Sequence, residues 1–152
     1  RMFSIIVVCT ANICRSPAAA VLLTSALNQS KVAINSAGTM ALDGNDVDPN
    51  IIKLLSEKGF PQIATHRSRA LMPSAIQRNE LILCAEHRHV EWIERKNPAA
   101  RGKTFLLSRW HDNSDVPDPY GKSEREYLMV LEKIQQFSIE WATKIIDLGI
   151  LK

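Results

Sequence analysis

No apolar run in this chain approaches the roughly 18–20 residues of a membrane-crossing helix, so no membrane partner is expected. No Lys/Arg block stands out, and aromatic residues make up only 6% of the chain, so the basic and aromatic surface of a nucleic-acid binder is missing. The formal charge of +3 is mild and compatible with an anionic substrate. Cysteine is scarce: there are three, an odd number that cannot pair completely within the chain and does not describe a disulfide scaffold. Ile5 to Cys9 is too short for the apolar region of a secretory leader, and no small-residue cleavage site follows. With no leader expected, the reading is reduced thiols and a cytoplasmic location. Internal repeats, low-complexity tracts and splitting linkers are absent as well. The 152 residues, 45% apolar and 23% charged, read as one domain over 1–152 with a full core.

What is present is an alternation of short apolar runs with longer helical patterns. Residues 3–9 read as a strand buried on both faces. Ser16-Pro17 opens a helix to about Gln29, with the proline in the tolerated first turn. Residues 31–36 alternate as a second strand, stopped by Ala37-Gly38. Asp48-Pro49 opens a helix to about Lys58, closed by Gly59. Residues 68–78 form a weak helical pattern around Pro73. Residues 80–85 and 103–107 are the third and fourth strands, separated by a helix over about 86–96. From Ser123, the positions Tyr127, Val130, Leu131, Ile134, Phe137, Trp141, Ile145 and Leu148 follow the spacing of a long amphipathic helix. Such alternation predicts an α/β fold, a parallel sheet with helices on both faces. In that architecture ligands sit beyond the carboxyl ends of the strands.

Cys9 falls at such an end and begins the stretch Cys9-Thr10-Ala11-Asn12-Ile13-Cys14-Arg15-Ser16-Pro17. A thiol is a nucleophile only as a thiolate, and three features here favour that form. The following helix turns its N-terminal dipole to the loop. Successive N–H groups in a tight turn form an anion nest. Arg15 adds a fixed charge, and Ser16 can donate to sulfur. The same donors suit a phosphate dianion, which Arg15 grips with two parallel hydrogen bonds. Attack at phosphorus also needs an acid for the leaving oxygen. Asp118, set between Pro117 and Pro119 and followed by Tyr120, has the most rigid backbone of the candidates; Asp112 and Asp115 lack that setting.

With these residues in view, the chain resembles the low-molecular-weight protein tyrosine phosphatases, and its Asp-Pro-Tyr-Gly stretch resembles bacterial members. The resemblance runs from the Cys9 loop through Ser36-Ala37-Gly38 and His66 to Asp118-Pro119-Tyr120. It implies a doubly wound three-layer fold, with a four-stranded parallel sheet in the order 2-1-3-4 and about five helices. It also implies a cysteine-dependent mechanism with no metal and no cofactor. By matching position, Cys9 forms a phosphocysteine, Arg15 binds the phosphoryl oxygens, and Asp118 first protonates the phenolate and then activates water. The phosphate-binding loop comprises Thr10, Ala11, Asn12, Ile13, Cys14 and Ser16; Asn12 is its left-handed residue, Ser16 stabilises the thiolate, and Ser36 and His66 anchor the loop. Ile13 and Tyr120 form an apolar slot for a phenyl phosphate, with Leu42 on the facing loop. Cys14 is implied as a redox partner that spares Cys9 from over-oxidation. Position 11 is Ala where the family usually carries Gly, which would be strained at positive φ. The implied partner is a phosphotyrosine-containing protein, by analogy a bacterial tyrosine autokinase, and the enzyme is expected as a monomer or weak dimer.

Three rival functions share these features. Arsenate reductase on the same fold needs two further relay cysteines, and beyond Cys14 there is only Cys84. A phosphoarginine phosphatase would resemble members with a small polar residue where Ile13 stands. An idle phosphate-binding module would be expected to lose Cys9, Arg15 or Asp118, and all three are present. Other features read as bland. His87 and His89 are two apart and point to different sides of a helix, which argues against a metal. Trp92, Trp110 and Trp141 read mainly as packing, with Trp110 a candidate for the cleft rim. Arg67 and Arg69 are placed to flank the site or to form a solvated basic patch.

Overall fold

The computed structural model describes residues 2–28 and 31–152. Four strands form one sheet in the order β2-β1-β3-β4, all neighbours parallel: β1 (Phe3–Cys9), β2 (Val32–Gly38), β3 (Leu81–Cys84) and β4 (Thr104–Leu106). Five α-helices accompany them among the described residues: α1 (Arg15–Leu27), α2 (Pro49–Glu57), α3 (Pro73–Arg78), α4 (His87–Lys96) and α5 (Glu124–Asp147). The parallel α/β architecture expected from the alternation is present, as is the strand order that the resemblance implies.

Alternation along β1 explains the three layers. Ile5 and Val7 face one side and pack with Leu22 and Leu23 of α1, Ile51 and Leu55 of α2, and Leu131, Ile134 and Phe137 of α5. Ile6 and Val8 face the other side and pack with Ile82, Ile76 of α3 and Ile93 of α4. Each fully buried aliphatic side chain contributes about 1.5–3 kcal/mol, so β1 is held by both layers at once.

Register brings the ends of the strands together. Cys9 lies opposite Gly38, and Val8 opposite Cys84, so the loop after β1 emerges between the ends of β2 and β3. Gly38 is required by close approach: a Cβ there would collide with the Thr10 carbonyl oxygen. That carbonyl accepts from Met40 N–H at 2.9 Å, and the Cys9 carbonyl accepts from Thr39 N–H at 3.0 Å.

Several sequence expectations are corrected. The helix expected over 68–78 begins only at Pro73. Proline disfavours helical backbone at the residue before it, and Met72 is extended. Upstream, Gly38 bridges Ala70, and Leu71 N–H donates to the Gly38 carbonyl at 2.9 Å. β2 runs on to Gly38 because its pairing with β1 continues to Cys9. Leu148 is 62% exposed and lies past the last turn of α5. Two 3-10 segments, Pro61–Thr65 and Pro98–Ala100, each begin at a proline and carried no periodic signal. The expected end of the first helix at Gln29 lies outside the described residues. No helix of the described residues is long and apolar enough to cross a membrane.

Candidate active site

Between β1 and α1 the chain makes a tight loop in which the N–H groups of Ala11 through Cys14 meet no acceptor among the described residues. Helix α1 follows with no acidic residue in its first turn and no side-chain cap at its start. Its positive end and the loop N–H groups are thus available to an anion. A cavity of about 250 Å³ sits over them, lined by residues 9–15 together with Asp118 and Tyr120. A wider depression of about 450 Å³ behind the loop is lined by Ala20, Val21, Gln62 and Arg67 among others, and none of its lining residues is a cysteine. The chemistry therefore belongs to the smaller cavity.

Asn12 organises the loop. It has φ 59°, a left-handed conformation that asparagine tolerates, and it is completely buried. Its Nδ2 donates to Ser16 Oγ at 2.8 Å and to Ser36 Oγ at 2.9 Å. Its Oδ1 accepts from Arg69 N–H at 3.0 Å and from His66 Nε2 at 3.1 Å, while its carbonyl accepts from the same Nε2 at 3.0 Å. Both Asn12 oxygens are acceptors, so His66 carries its proton on Nε2. Burial, with the charges of Arg69 and Arg67 adding to it, lowers the His66 pKa against the pull of the Asn12 carbonyl. Ala11 keeps a negative φ, so its methyl group carries no strain there.

Cys9, 2% exposed, places its Sγ 2.9 Å from Ser16 Oγ. Arg15, only 3% exposed, is braced from behind. Its Nη1 donates to Glu86 Oε2 at 2.6 Å and to the Val116 carbonyl at 2.8 Å. Its Nη2 is 3.9 Å from Asp118 Oδ2. Burial raises the Glu86 pKa, but hydrogen bonds from Arg88 and Arg15 outweigh it, so the net shift is downward and Glu86 stays an anion under Arg15. Asp118 is half exposed, and its Oδ1 accepts Tyr120 N–H at 3.1 Å.

The sequence-predicted residues Cys9, Thr10, Ala11, Asn12, Ile13, Cys14, Arg15, Asp118 and Tyr120 all line one cavity, and Ser16, Ser36 and His66 lie directly behind it. Leu42 is not among the residues that line this cavity, and its side chain is 75% exposed. Trp110 meets Trp141 edge to face and lies under Lys144, and it does not line the cavity. Arg67 pairs with Asp46 at 3.1 Å, and Arg69 serves the loop through its backbone. Cys14 is buried and its thiol pKa is raised, by desolvation first and then by Cys9. Cys84 is fully buried on the opposite face of the sheet, with its pKa likewise raised by burial and then by Cys9.

Several supports were not read from the sequence. Glu86 precedes α4 and carried no motif. Asp48, seen only as a helix start, caps α2 by accepting Asn50 N–H at 2.9 Å and donates its own N–H to the Ile13 carbonyl at 2.9 Å. Tyr127 OH donates to Asp48 Oδ2 at 2.5 Å; burial first, and then that bond, push the tyrosine up to about 12. His87 bonds Asp115 at 2.7 Å on the surface, while His89 is buried, as their spacing predicts. Among the described residues no cluster of three His, Cys, Asp or Glu side chains is arranged to hold a metal.

A buried thiol at a parallel strand end, over free loop N–H groups and a braced arginine, with a carboxyl group at the mouth, is the make-up that a cysteine-dependent phosphoric monoester hydrolase needs. Residues 4–147 match the low molecular weight phosphotyrosine protein phosphatase family, and the chain belongs to it. It is 39% identical over 145 residues to a putative low molecular weight protein-tyrosine-phosphatase of Klebsiella pneumoniae, covering 95% of this chain and 99% of that one. The crystal structure of the tyrosine phosphatase Wzb from Escherichia coli K30 with sulphate superposes with a TM-score of 0.88 at 36% identity, covering 95% of this chain and 99% of Wzb. The YwlE arginine phosphatase from Geobacillus stearothermophilus superposes with a TM-score of 0.90 at 30% identity, covering 97% and 96%.

Proposed function

We propose that this protein hydrolyses phosphotyrosine in a phosphoprotein through a phosphocysteine on Cys9. The observation that carries this reading is one cavity lined by Cys9, Arg15 and Asp118 above four loop N–H groups that meet no acceptor among the described residues. Cys9 Sγ attacks phosphorus as the bond to the phenol oxygen breaks. Asp118 gives its proton to that leaving oxygen. The loop N–H groups and Arg15 hold the equatorial oxygens through the transfer. Water then attacks the phosphocysteine, Asp118 takes its proton, and inorganic phosphate leaves with the thiolate restored.

The walls favour an aryl ester. Ile13 and Tyr120 are apolar surfaces at the mouth, and a flat ring between them is desolvated on both faces. A phosphoarginine, with a charged and hydrated guanidinium, would lose hydration against the same walls, so Ile13 argues for phosphotyrosine over the YwlE-type substrate. The partner on this reading is a tyrosine-phosphorylated protein, a bacterial tyrosine autokinase by analogy.

The test is hydrolysis of p-nitrophenyl phosphate and of matched phosphotyrosyl, phosphoseryl and phosphoarginyl peptides by wild type, Cys9→Ser and Asp118→Ala. Cys9→Ser should abolish turnover. Asp118→Ala should lose about 10²–10⁴-fold on a phenyl ester, and less on p-nitrophenyl phosphate, whose leaving group needs a proton less. Full activity in Cys9→Ser would overturn the mechanism; equal rates on the peptides would overturn the substrate class.

A further inference from the structure

Thr10, the residue after the nucleophile, carries an unusual pair of contacts. Its Oγ1 is 2.8 Å from His89 Nε2 and 3.0 Å from Arg88 Nη2. The direction of the first follows from the other ring nitrogen. His89 Nδ1 faces the Glu86 backbone N–H at 3.1 Å and must accept from it, so a neutral ring carries its proton on Nε2 and donates to Thr10. His89 is 2% exposed, and desolvation first, then the charge of Arg15, bring its pKa down to about 4. The guanidinium of Arg88 can only donate. Both acceptor sites of the Thr10 hydroxyl are thereby filled.

A threonine hydroxyl has two acceptor sites and one proton. With both sites occupied, the proton can only be given away, and no acceptor meets it among the described residues. Thr10 lines the cavity that holds Cys9, Arg15 and Asp118. We infer that the Thr10 hydroxyl is a substrate-binding donor to an oxygen of the bound phosphate ester, held in that sense by His89 and Arg88 as positioning residues. This inference rests on the phosphatase reading and adds a side-chain donor to the backbone cradle. It also gives the start of α4 a task beyond bracing Arg15: Glu86 serves the arginine, while His89 and Arg88 serve the threonine.

Kinetics on phenyl phosphate, with inhibition by inorganic phosphate, tests it. Thr10→Val should lose about 10–100-fold in kcat/KM, the share of a hydrogen bond to a charged group, and phosphate inhibition should weaken in parallel. Thr10→Ser keeps the hydroxyl and should recover most of that loss. His89→Asn still accepts from Glu86 N–H but falls short of Thr10; it should lower kcat/KM in the wild-type background and add little to Thr10→Val. Thr10 and His89 touch, so their effects on melting temperature will not add either; recovery of phosphate inhibition in Thr10→Ser is the readout that separates positioning from folding. If Thr10→Val does not fold, Thr10→Ala makes the same comparison. Wild-type kinetics in the Val or Ala variant, or a full further loss from His89→Asn in the Thr10→Val background, would overturn the inference. An inactive wild type would instead sink the phosphatase reading.

Discussion

Ser16 Oγ lies 2.9 Å from Cys9 Sγ while accepting a hydrogen bond from Asn12 Nδ2 at 2.8 Å. Asn12 fills one acceptor site of the serine, whose single proton has two acceptors in reach, the sulfur and a long 3.5 Å contact at the Ala37 carbonyl; donation to sulfur is the sense that a Cys9 thiolate requires. The left-handed turn at Asn12 and the Cys9 sulfur are therefore linked by one chain of hydrogen bonds. Loop conformation reaches the sulfur through a single hydroxyl.

Ser16→Ala should slow both alkylation of Cys9 and turnover. Loss of one hydrogen bond to a charged sulfur predicts a fall in kcat of about 10–100-fold. Iodoacetamide labelling rates at pH 6, followed by peptide mass, measure the thiolate directly. Labelling at the wild-type rate would show that Ser16 does not stabilise it.

Glu86→Gln should loosen Arg15, and with it Arg88, which Glu86 also binds. The 2.6 Å ion pair with Arg15 becomes a neutral contact, leaving a nearly buried guanidinium without its anion. The unfolding free energy at pH 7 should drop by about 1–3 kcal/mol. Glu86 has a depressed folded pKa, so its contribution is complete above the unfolded value of about 4.3 and is lost as pH falls through the folded one. The variant and wild type should therefore converge in stability as pH falls from the unfolded value of about 4.3 through the lower folded one. A difference that stayed constant throughout the acid titration, read by denaturant unfolding, would count against a charged Glu86.

How far these relations were legible depends on their range in sequence. Cys9, Arg15 and Ser16 belong to one short stretch, and β1 was plain because its apolar run needs burial on both faces. Asp118 could be found because two prolines mark it. Glu86 and His89 could not, since their meeting with Arg15 and Thr10 follows from β1 pairing with β3, and no local pattern encodes strand order. Leu42 was placed by the resemblance and by no local pattern, and it does not line the cavity. The stretch 68–72 misled because its residues bond to Gly38 and Asp43 instead of forming a helical turn.

Cys14 should capture oxidised Cys9. Peroxide converts the Cys9 thiolate to a sulfenic acid, and the Cys14 thiol then displaces water to form a disulfide. Burial raises the Cys14 pKa, so it remains a protonated thiol until Cys9 has reacted, which sets the order of events. Mass spectrometry after peroxide should find the Cys9–Cys14 disulfide, with activity restored by dithiothreitol. In Cys14→Ser the same treatment should carry Cys9 on to sulfinic acid and permanent loss. Equal recovery of both proteins would remove Cys14 from this role.

The buried His89 should give the fold a dependence on pH that its replacement removes. Its folded pKa is lowered to about 4, by burial first and by the charge of Arg15, with Arg88 adding and Glu86 and Asp115 opposing. In the unfolded chain the same ring titrates near 6.5. Between those values the unfolded state binds a proton that the folded state refuses, so stability falls as pH drops from about 6.5 to about 4 and the loss then levels off. The full loss is at most about 3 kcal/mol. His66, lowered in the same direction, contributes a second share to the slope. His89→Gln keeps a donor for Thr10 but has no titration, so its stability should fall less steeply over this window while His66 continues to act. Unfolding midpoints at pH 7.5, 6 and 5 make the comparison. Equal slopes in the two proteins would mean that His89 is not held neutral by the fold.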